Sequence, residues 1–260
     1  MLRGLWSAAT GMSCQQTNID VVAHNLANVN TTGFKKSRAN FQDLMYQTVR
    51  TAGAATASGG QLPAGIQVGM GSKVVAVEKL FLQGDYAQTK NQLDMAIEGK
   101  GFFKLINNGR EVYTRSGAFK LDKDGYICDS NGNRLQPEFA IPAQTVTITI
   151  ESGGKLVASG SDGRELGNVQ IQLFDFANPA GLNSIGQNLF LPSDGSGDPT
   201  QGNPGVDEFG TISQGFLEMS NVDVVEEMIH MIIAQRAYEI GGKVIQTGDD
   251  MLQQANNLKR

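Results

Sequence analysis

The sequence predicts an α+β protein. Terminal α-helices pair as a coiled coil, with a β-rich central domain and an extended arm between them. Three observations predict this. Leu5, Ala8, Met12, Gln15, Ile19, Val22, Leu26 and Val29 fall alternately three and four residues apart, the a/d ladder of a helix whose stripe needs a partner helix. A second ladder, Val224, Met231, Tyr238, Ile245 and Leu252, repeats every seventh residue beside a column of small residues, Ala234, Gly241, Gly248 and Ala255. Between the ladders, apolar and polar residues alternate and Asn-Gly and Asp-Gly pairs recur, as in successive hairpins. The domain reading is therefore 1–35 and 219–260 as a discontinuous helical domain, 36–75 as an extended arm or linker, and 76–218 as a β-rich outer domain.

Residues 3–28 read as one helix, halted by the Asn, Thr and Gly residues of Asn28–Gly33, which favour turns. Gly33 suits a left-handed cap. Phe34–Tyr46 fits extended or partly helical backbone. Thr51–Gly71 is small, uncharged and rich in Gly and Ala. It reads either as a flexible linker or as a long arm ordered against neighbours, and its length inside a compact chain favours the arm. Strand patterns follow at Val74–Val77, at Val146, Ile148 and Ile150, and at Val169, Ile171 and Leu173. Asn107-Asn108-Gly109, Asp124-Gly125, Asn131-Gly132 and Asp162-Gly163 are hairpin-turn signals. Ser193–Gly205 reads as a surface loop. Ser220 with Asp223 resembles a capping box, and Asp223, Glu226 and Glu227 favour a helix N-terminus beyond it. The Gly241-Gly242 pair costs a lone helix about 1 kcal/mol per Gly, so packing must offset it.

Composition narrows the function. Charged residues make up 18% of 260 residues and 32 are Gly, which suits β-structure rich in turns better than a helical enzyme. Aromatics are 7%, so no single large aromatic core is expected. The net charge of −5 argues against a nucleic-acid partner. Residues 1–40 carry four basic residues against one acid, and residues 218–260 four against seven, so the two ends attract weakly. No apolar run is long enough to span a membrane. Leu5–Ala9 is too short for a signal-peptide core, and the heptad ladder runs through the faint lipoprotein-like Met12-Ser13-Cys14. Cys14 and Cys128 read as small buried residues.

Sites of chemistry are not evident. His24 and His230 both lie on terminal helices and read as packing or local hydrogen-bonding residues. Gly99-Lys100-Gly101 lacks the spacing of a phosphate loop, and Gly69-Met70-Gly71 lacks the third Gly of a dinucleotide fingerprint. Asp122-Lys123-Asp124-Gly125 has its Gly two positions too early for a calcium loop. The expectation is no catalytic, cofactor-binding or metal residue, and no enzyme. The assembly interface is expected at Leu5, Met12, Ile19, Val22, Leu26, Val224, Met231, Tyr238, Ile245 and Leu252.

Three stretches carry a resemblance. His24-Asn25-Leu26-Ala27-Asn28-Val29-Asn30-Thr31-Thr32-Gly33-Phe34-Lys35-Lys36 resembles the signature of the flagellar basal-body rod protein family. Asp94–Phe103 with Tyr113–Phe119 looks like the central motif shared by rod and hook proteins. Ser220–Asp223 with Ala234–Glu239 is similar to the family's C-terminal motif. Chain length, and the stretch from Leu44 to Gly69, look most like the distal rod member. Gly241-Gly242 departs from the bulkier, more polar pair of the family pattern.

The resemblance implies a structural subunit exported unfolded by the flagellar type III apparatus without signal cleavage. It implies helical self-polymerisation in the periplasm into the hollow distal rod that transmits torque. The implied partners are other rod subunits, hook-side subunits and the P- and L-ring proteins. Terminal helices would line the inner tube, and the arm would run between subunits. A proximal rod or hook-like subunit is the alternative within the family. A β-rich extracellular binding module with coiled-coil ends would need an exposed aromatic platform, yet Trp6 is the only Trp and lies on the first helix. A peptidoglycan hydrolase would need a paired-carboxylate or Cys/His site.

Overall fold

The computed structural model describes residues 2–53 and 63–257. The chain forms two compact units, one of residues 1–26, 37–78 and 224–260, the other of 27–36 and 79–223.

In the first unit, α1 (Leu2–Ala27) follows the predicted ladder. Strands β1 (Ser37–Asp43), β2 (Tyr46–Arg50), β3 (Ile66–Gly69) and β4 (Ser72–Lys79) come next. β1 pairs with β4, and β2 pairs antiparallel with β3 from Tyr46↔Gly69 to Arg50↔Ile66. The stretch 36–75 is therefore not a structureless linker in its described part. Its Gly/Ala-rich centre hides flanks of Tyr46, Thr48, Val49, Ile66 and Val68, residues that favour a pleated backbone. Residues 54–62 of the expected arm lie outside the described residues.

The long helix α2 (Val224–Asn257) has Glu226 and Glu227 in its first turn, where they oppose the positive end of the helix dipole. It starts directly after Asp223. Ser220 lies too far upstream to cap it, and its hydroxyl is buried without a hydrogen-bond partner, so the expected capping box does not form there. Buried Asn25 on α1 donates to the Glu227 carboxylate (3.1 Å) and to the Ser37 carbonyl (2.9 Å), and accepts from the Ser37 amide (2.8 Å). One side chain thus fastens α1, β1 and α2.

The second unit is β-rich. Its strands are β5 (Tyr86–Gln88), β6 (Met95–Glu98), β7 (Phe103–Asn107), β8 (Arg110–Thr114), β9 (Lys120–Leu121), β10 (Ile127–Cys128) and β11 (Arg134–Leu135). Then follow β12 (Thr145–Ile150), β13 (Lys155–Gly160), β14 (Glu165–Gln170), β15 (Leu173–Asp175), β16 (Asn183–Gly186), β17 (Leu189–Leu191), β18 (Thr200–Gly202), β19 (Thr211–Gln214) and β20 (Phe216–Glu218). The largest sheet has seven strands in the order β16-β17-β8-β7-β11-β10-β9, and β12-β13-β14 form a meander.

All four predicted turn dipeptides sit between paired strands. At β7–β8, Asn107 pairs with Arg110, and both loop residues have positive φ, Asn108 at 50° and Gly109 at 78°, the two-residue turn whose twist matches the strands. Ile148 and Ile150 of the alternating β12 are buried, while Val146 is exposed. Val169 and Leu173 fall on different strands, separated by buried Ile171. Within the expected loop 193–205, β18 pairs with β15.

The main core is largely aliphatic, built from Met95, Ile97, Leu105, Leu156, Leu173 and Ile212 with Phe103 and Phe119. A second cluster is aromatic, which composition did not suggest. Phe81, Phe102, Tyr113, Phe174, Phe176 and Phe190 meet with ring centroids 5.0–6.0 Å apart, mostly edge to face. Few aromatics suffice when they converge from strands distant in sequence. Cys14 and Cys128 are buried free thiols.

Candidate assembly site

Within the first unit, the small column of α2 turns inward at Ala234, Gly241 and Gly248, while Ala255 is exposed. Ala234 and Gly248 are buried. A methyl group added at Gly241 would lie 2.5 Å from Met12 Cγ, and one at Gly248 would lie 2.5 Å from Leu5 Cδ2. The glycines therefore admit the large residues of α1 at close range. Leu5, Met12, Ile19 and Leu26 are half-buried and Val22 is buried. On α2, Met231 and Ile245 are half-buried, whereas Val224, Tyr238 and Leu252 are exposed. The two columns thus divide the labour, with small residues toward α1 and much of the large column toward solvent.

The rest of α2 is unusually apolar for an exposed surface. Val225, Met228, Ile229, Ile232, Ile233, Ile240, Val244 and Met251 are between 45 and 67% exposed. Most of them recur three or four residues apart, the pattern of a helix face that other chains cover. Trp6 on α1 is 60% exposed.

The signature stretch leads from α1 into the second unit and ends in a buried charge knot. Thr31 donates its amide to Asn28 (3.1 Å) and Phe34 to Thr31 (3.3 Å), closing the turn. Gly33 has φ +69°, and a Cβ there would lie 2.7 Å from the Ser116 amide nitrogen. Lys35 is 2% exposed and its ammonium donates to Glu218 Oε1 and to the Leu82 carbonyl, each at 2.6 Å. Arg115 donates from Nε to the other Glu218 oxygen at 2.6 Å and from its terminal nitrogens to the carbonyls of Ile97, Gly99 and Gly101. The Gly84 amide donates to Glu218 Oε1 at 3.0 Å. Burial pulls Lys35 below the ordinary lysine range, against the Glu218 carboxylate, which holds it up. Burial pushes Glu218 up, but Arg115, Lys35 and the Gly84 amide together outweigh it and keep its carboxyl below the usual range. A cavity of about 410 Å³ opens beside the knot, lined in part by Lys35, Phe81, Phe102, Arg115 and Phe176.

Other motif residues occupy structural posts. Asn25, Gly33, Phe34 and Lys35 are buried, Leu26, Asn28, Val29, Thr31 and Thr32 half-buried, and His24, Ala27 and Asn30 exposed. The central motif supplies Arg115 and Gly117, where a Cβ would overlap the Met95 carbonyl oxygen. Sequence reasoning quoted Arg115 only within its motif and missed Glu218. The available signal was a charged residue inside each otherwise small or apolar stretch.

Comparisons with known proteins agree with this geometry. Residues 5–35 match the family model described as "Flagella basal body rod protein", 96–158 match "Flagellar hook protein FlgE/F/G D1 domain", and 213–258 match "Flagellar basal body rod FlgEFG protein C-terminal". The chain is 48% identical over 266 residues to the flagellar basal-body rod protein FlgG of Borreliella burgdorferi, covering 100% of both. It is 44% identical to that of Caulobacter vibrioides, covering 99% of this chain and 100% of the relative, and 39% identical to that of Bacillus subtilis, covering 100% of both. With similarity along the whole chain and the three segments in family order, the chain belongs to the flagellar basal-body rod protein family and is FlgG-like.

Proposed function

We propose that the chain is a structural subunit of the distal rod, polymerising helically into the hollow shaft that carries torque through the peptidoglycan and the P- and L-rings. As in its rod-protein relatives, the role is structural and not enzymatic. The observation that carries the mechanism is the exposed apolar surface of α2, from Val225 through Ile233 to Val244. A monomer leaves that surface in water, and a second copy covering it at a heterologous, non-closing contact extends a filament. The terminal helices then act as the assembly element. Leu5, Met12, Ile19, Val22 and Leu26 on one side and Val224, Met231, Tyr238, Ile245 and Leu252 on the other form a coiled-coil layer completed by neighbours. The ribbon of β1 to β4 reaches between subunits, and the β-rich unit forms the outer layer. Export through the type III apparatus without a cleaved leader, a periplasmic position, and contacts with other rod, hook-side and ring subunits complete the reading.

The test is the double substitution Ile229→Asp with Ile233→Asp, placed on exposed positions of α2. Sedimentation and electron microscopy should find soluble subunits that no longer form filaments, with the near-ultraviolet signal of the β-rich unit unchanged. Filaments of wild-type length and yield from that variant would overturn the assignment of α2 as the assembly face.

A further inference from the structure

The chain crosses between its two units four times, after residues 26, 36, 78 and 223. Three of the segments that begin or end at those crossings meet at the charge knot inside the second unit. They are 33–36, 80–85 and 218–221. The Gly33 amide donates to the Glu218 carbonyl (2.8 Å), Leu80 to the Lys36 carbonyl (2.9 Å) and Met219 to the Asp85 carbonyl (2.7 Å). The Asn221 side chain accepts from the Lys36 amide (2.7 Å) and donates to the Leu80 carbonyl (2.9 Å). The Lys35 ammonium reaches both other segments at once, through the Leu82 carbonyl and Glu218.

The charge balance of the knot is uneven. Arg115 alone would neutralise Glu218 one to one, and it is already held by three backbone carbonyls. Lys35 is a second buried cation on the same carboxylate, and desolvation works against its charge. It is therefore poorly explained as a stabiliser of the pair. What it adds is geometry, since its ammonium, like the Glu218 Oε1 it meets, joins all three segments through one atom. Buried polar groups retained for register rather than stability have precedent in helix pairing.

We propose that Lys35 is a positioning residue that holds these three segments in one bundle, so that the chain entering and leaving the β1–β4 ribbon and the chain entering α2 are fixed together within the second unit. The inference does not require that the chain polymerise, because it concerns the isolated subunit.

Amide hydrogen exchange on the full chain tests it with Lys35→Met, which keeps the length of the side chain and leaves Arg115 and Glu218 paired. The amides of Gly33, Lys36, Leu80 and Met219 should exchange roughly tenfold faster than in the wild type, while those of the core strands at Leu105 and Tyr113 keep their protection. Wild-type protection at the four crossing amides would overturn the proposal. So would a parallel loss of protection in the core, which would make Lys35 a general stabiliser. Either result leaves the assignment of α2 as the assembly face to its own filament test.

Discussion

Gly241 and Gly242 are neighbours on α2, and the structure assigns them opposite responses to the same substitution. Replacing Gly by Ala inside a helix gains about 1 kcal/mol, because Gly loses more backbone freedom on folding. At Gly242 nothing lies within 4 Å of the added methyl, so Gly242→Ala should stabilise α2 by the full ~1 kcal/mol. At Gly241 the methyl would stand 2.5 Å from Met12 Cγ and 3.3 Å from its sulfur, whereas carbon atoms rest at about 3.5–4.0 Å. Met12 must leave its rotamer or α1 must move away, at an overpacking cost of about 1–3 kcal/mol. Gly241→Ala should then fall between neutral and about 2 kcal/mol destabilising once the propensity gain is subtracted. Gly248→Ala should lie between the two, because the atom it meets is the terminal methyl Cδ2 of Leu5. Denaturant unfolding of dilute subunit, followed by far-ultraviolet circular dichroism, measures the series. Equal stabilisation at 241 and 242 would show that α1 does not lie against Gly241, and the division of α2 into an inward small column and an outward apolar face would fall.

The remaining predictions concern the second unit. Glu218→Gln strands two buried cations, so denaturant unfolding should show a loss of about 3–5 kcal/mol; a loss near zero would mean that the knot is solvated. Because Arg115 and Lys35 hold the folded Glu218 carboxyl below the usual range, its contribution is present above the unfolded value of about 4.3 and disappears as pH falls through the lower folded value. Thermal unfolding from neutral to strongly acidic pH should therefore decline less steeply in Glu218→Gln than in the wild type, and parallel curves would contradict the shift. Gly117→Ala drives a methyl onto the Met95 carbonyl, whereas Gly153→Ala meets nothing within 4 Å. Calorimetry should place the first at or above the upper end of the ~1–3 kcal/mol overpacking range and leave the second near wild type; similar melting of both would refute the close approach.

What the sequence made legible was local. The N-terminal ladder and its stop at Asn28–Gly33, the four turn dipeptides and the alternation around Ile148 each depend on residues within a turn or a strand of one another. The long-range pairings had no such signal. Lys35 and Glu218 are 183 positions apart, and Arg115 and Glu218 are 103 apart, so no periodicity connects them. The heptads of α2 marked two columns, but which column faces α1 depends on how closely the other helix approaches. The strands around the Gly-rich stretch were hidden because composition averages over the few β-prone residues that pair. Four glycines of the second unit, two of them in the quoted motifs, share one physical property. A Cβ would collide with backbone at Gly33 against Ser116, at Gly84 against Met219, at Gly117 against Met95 and at Gly210 against Glu98. These positions preserve backbone approach rather than chemistry, and Lys35, Arg115 and Glu218 lie among them. A sequence reading that searches for catalytic constellations passes over such residues, because their constraint is spatial. On the function proposed above, the protein's work is to be packed and to carry load, so the residues that permit close packing would themselves be the functional residues, and substitutions at them should impair assembly before they impair any single contact.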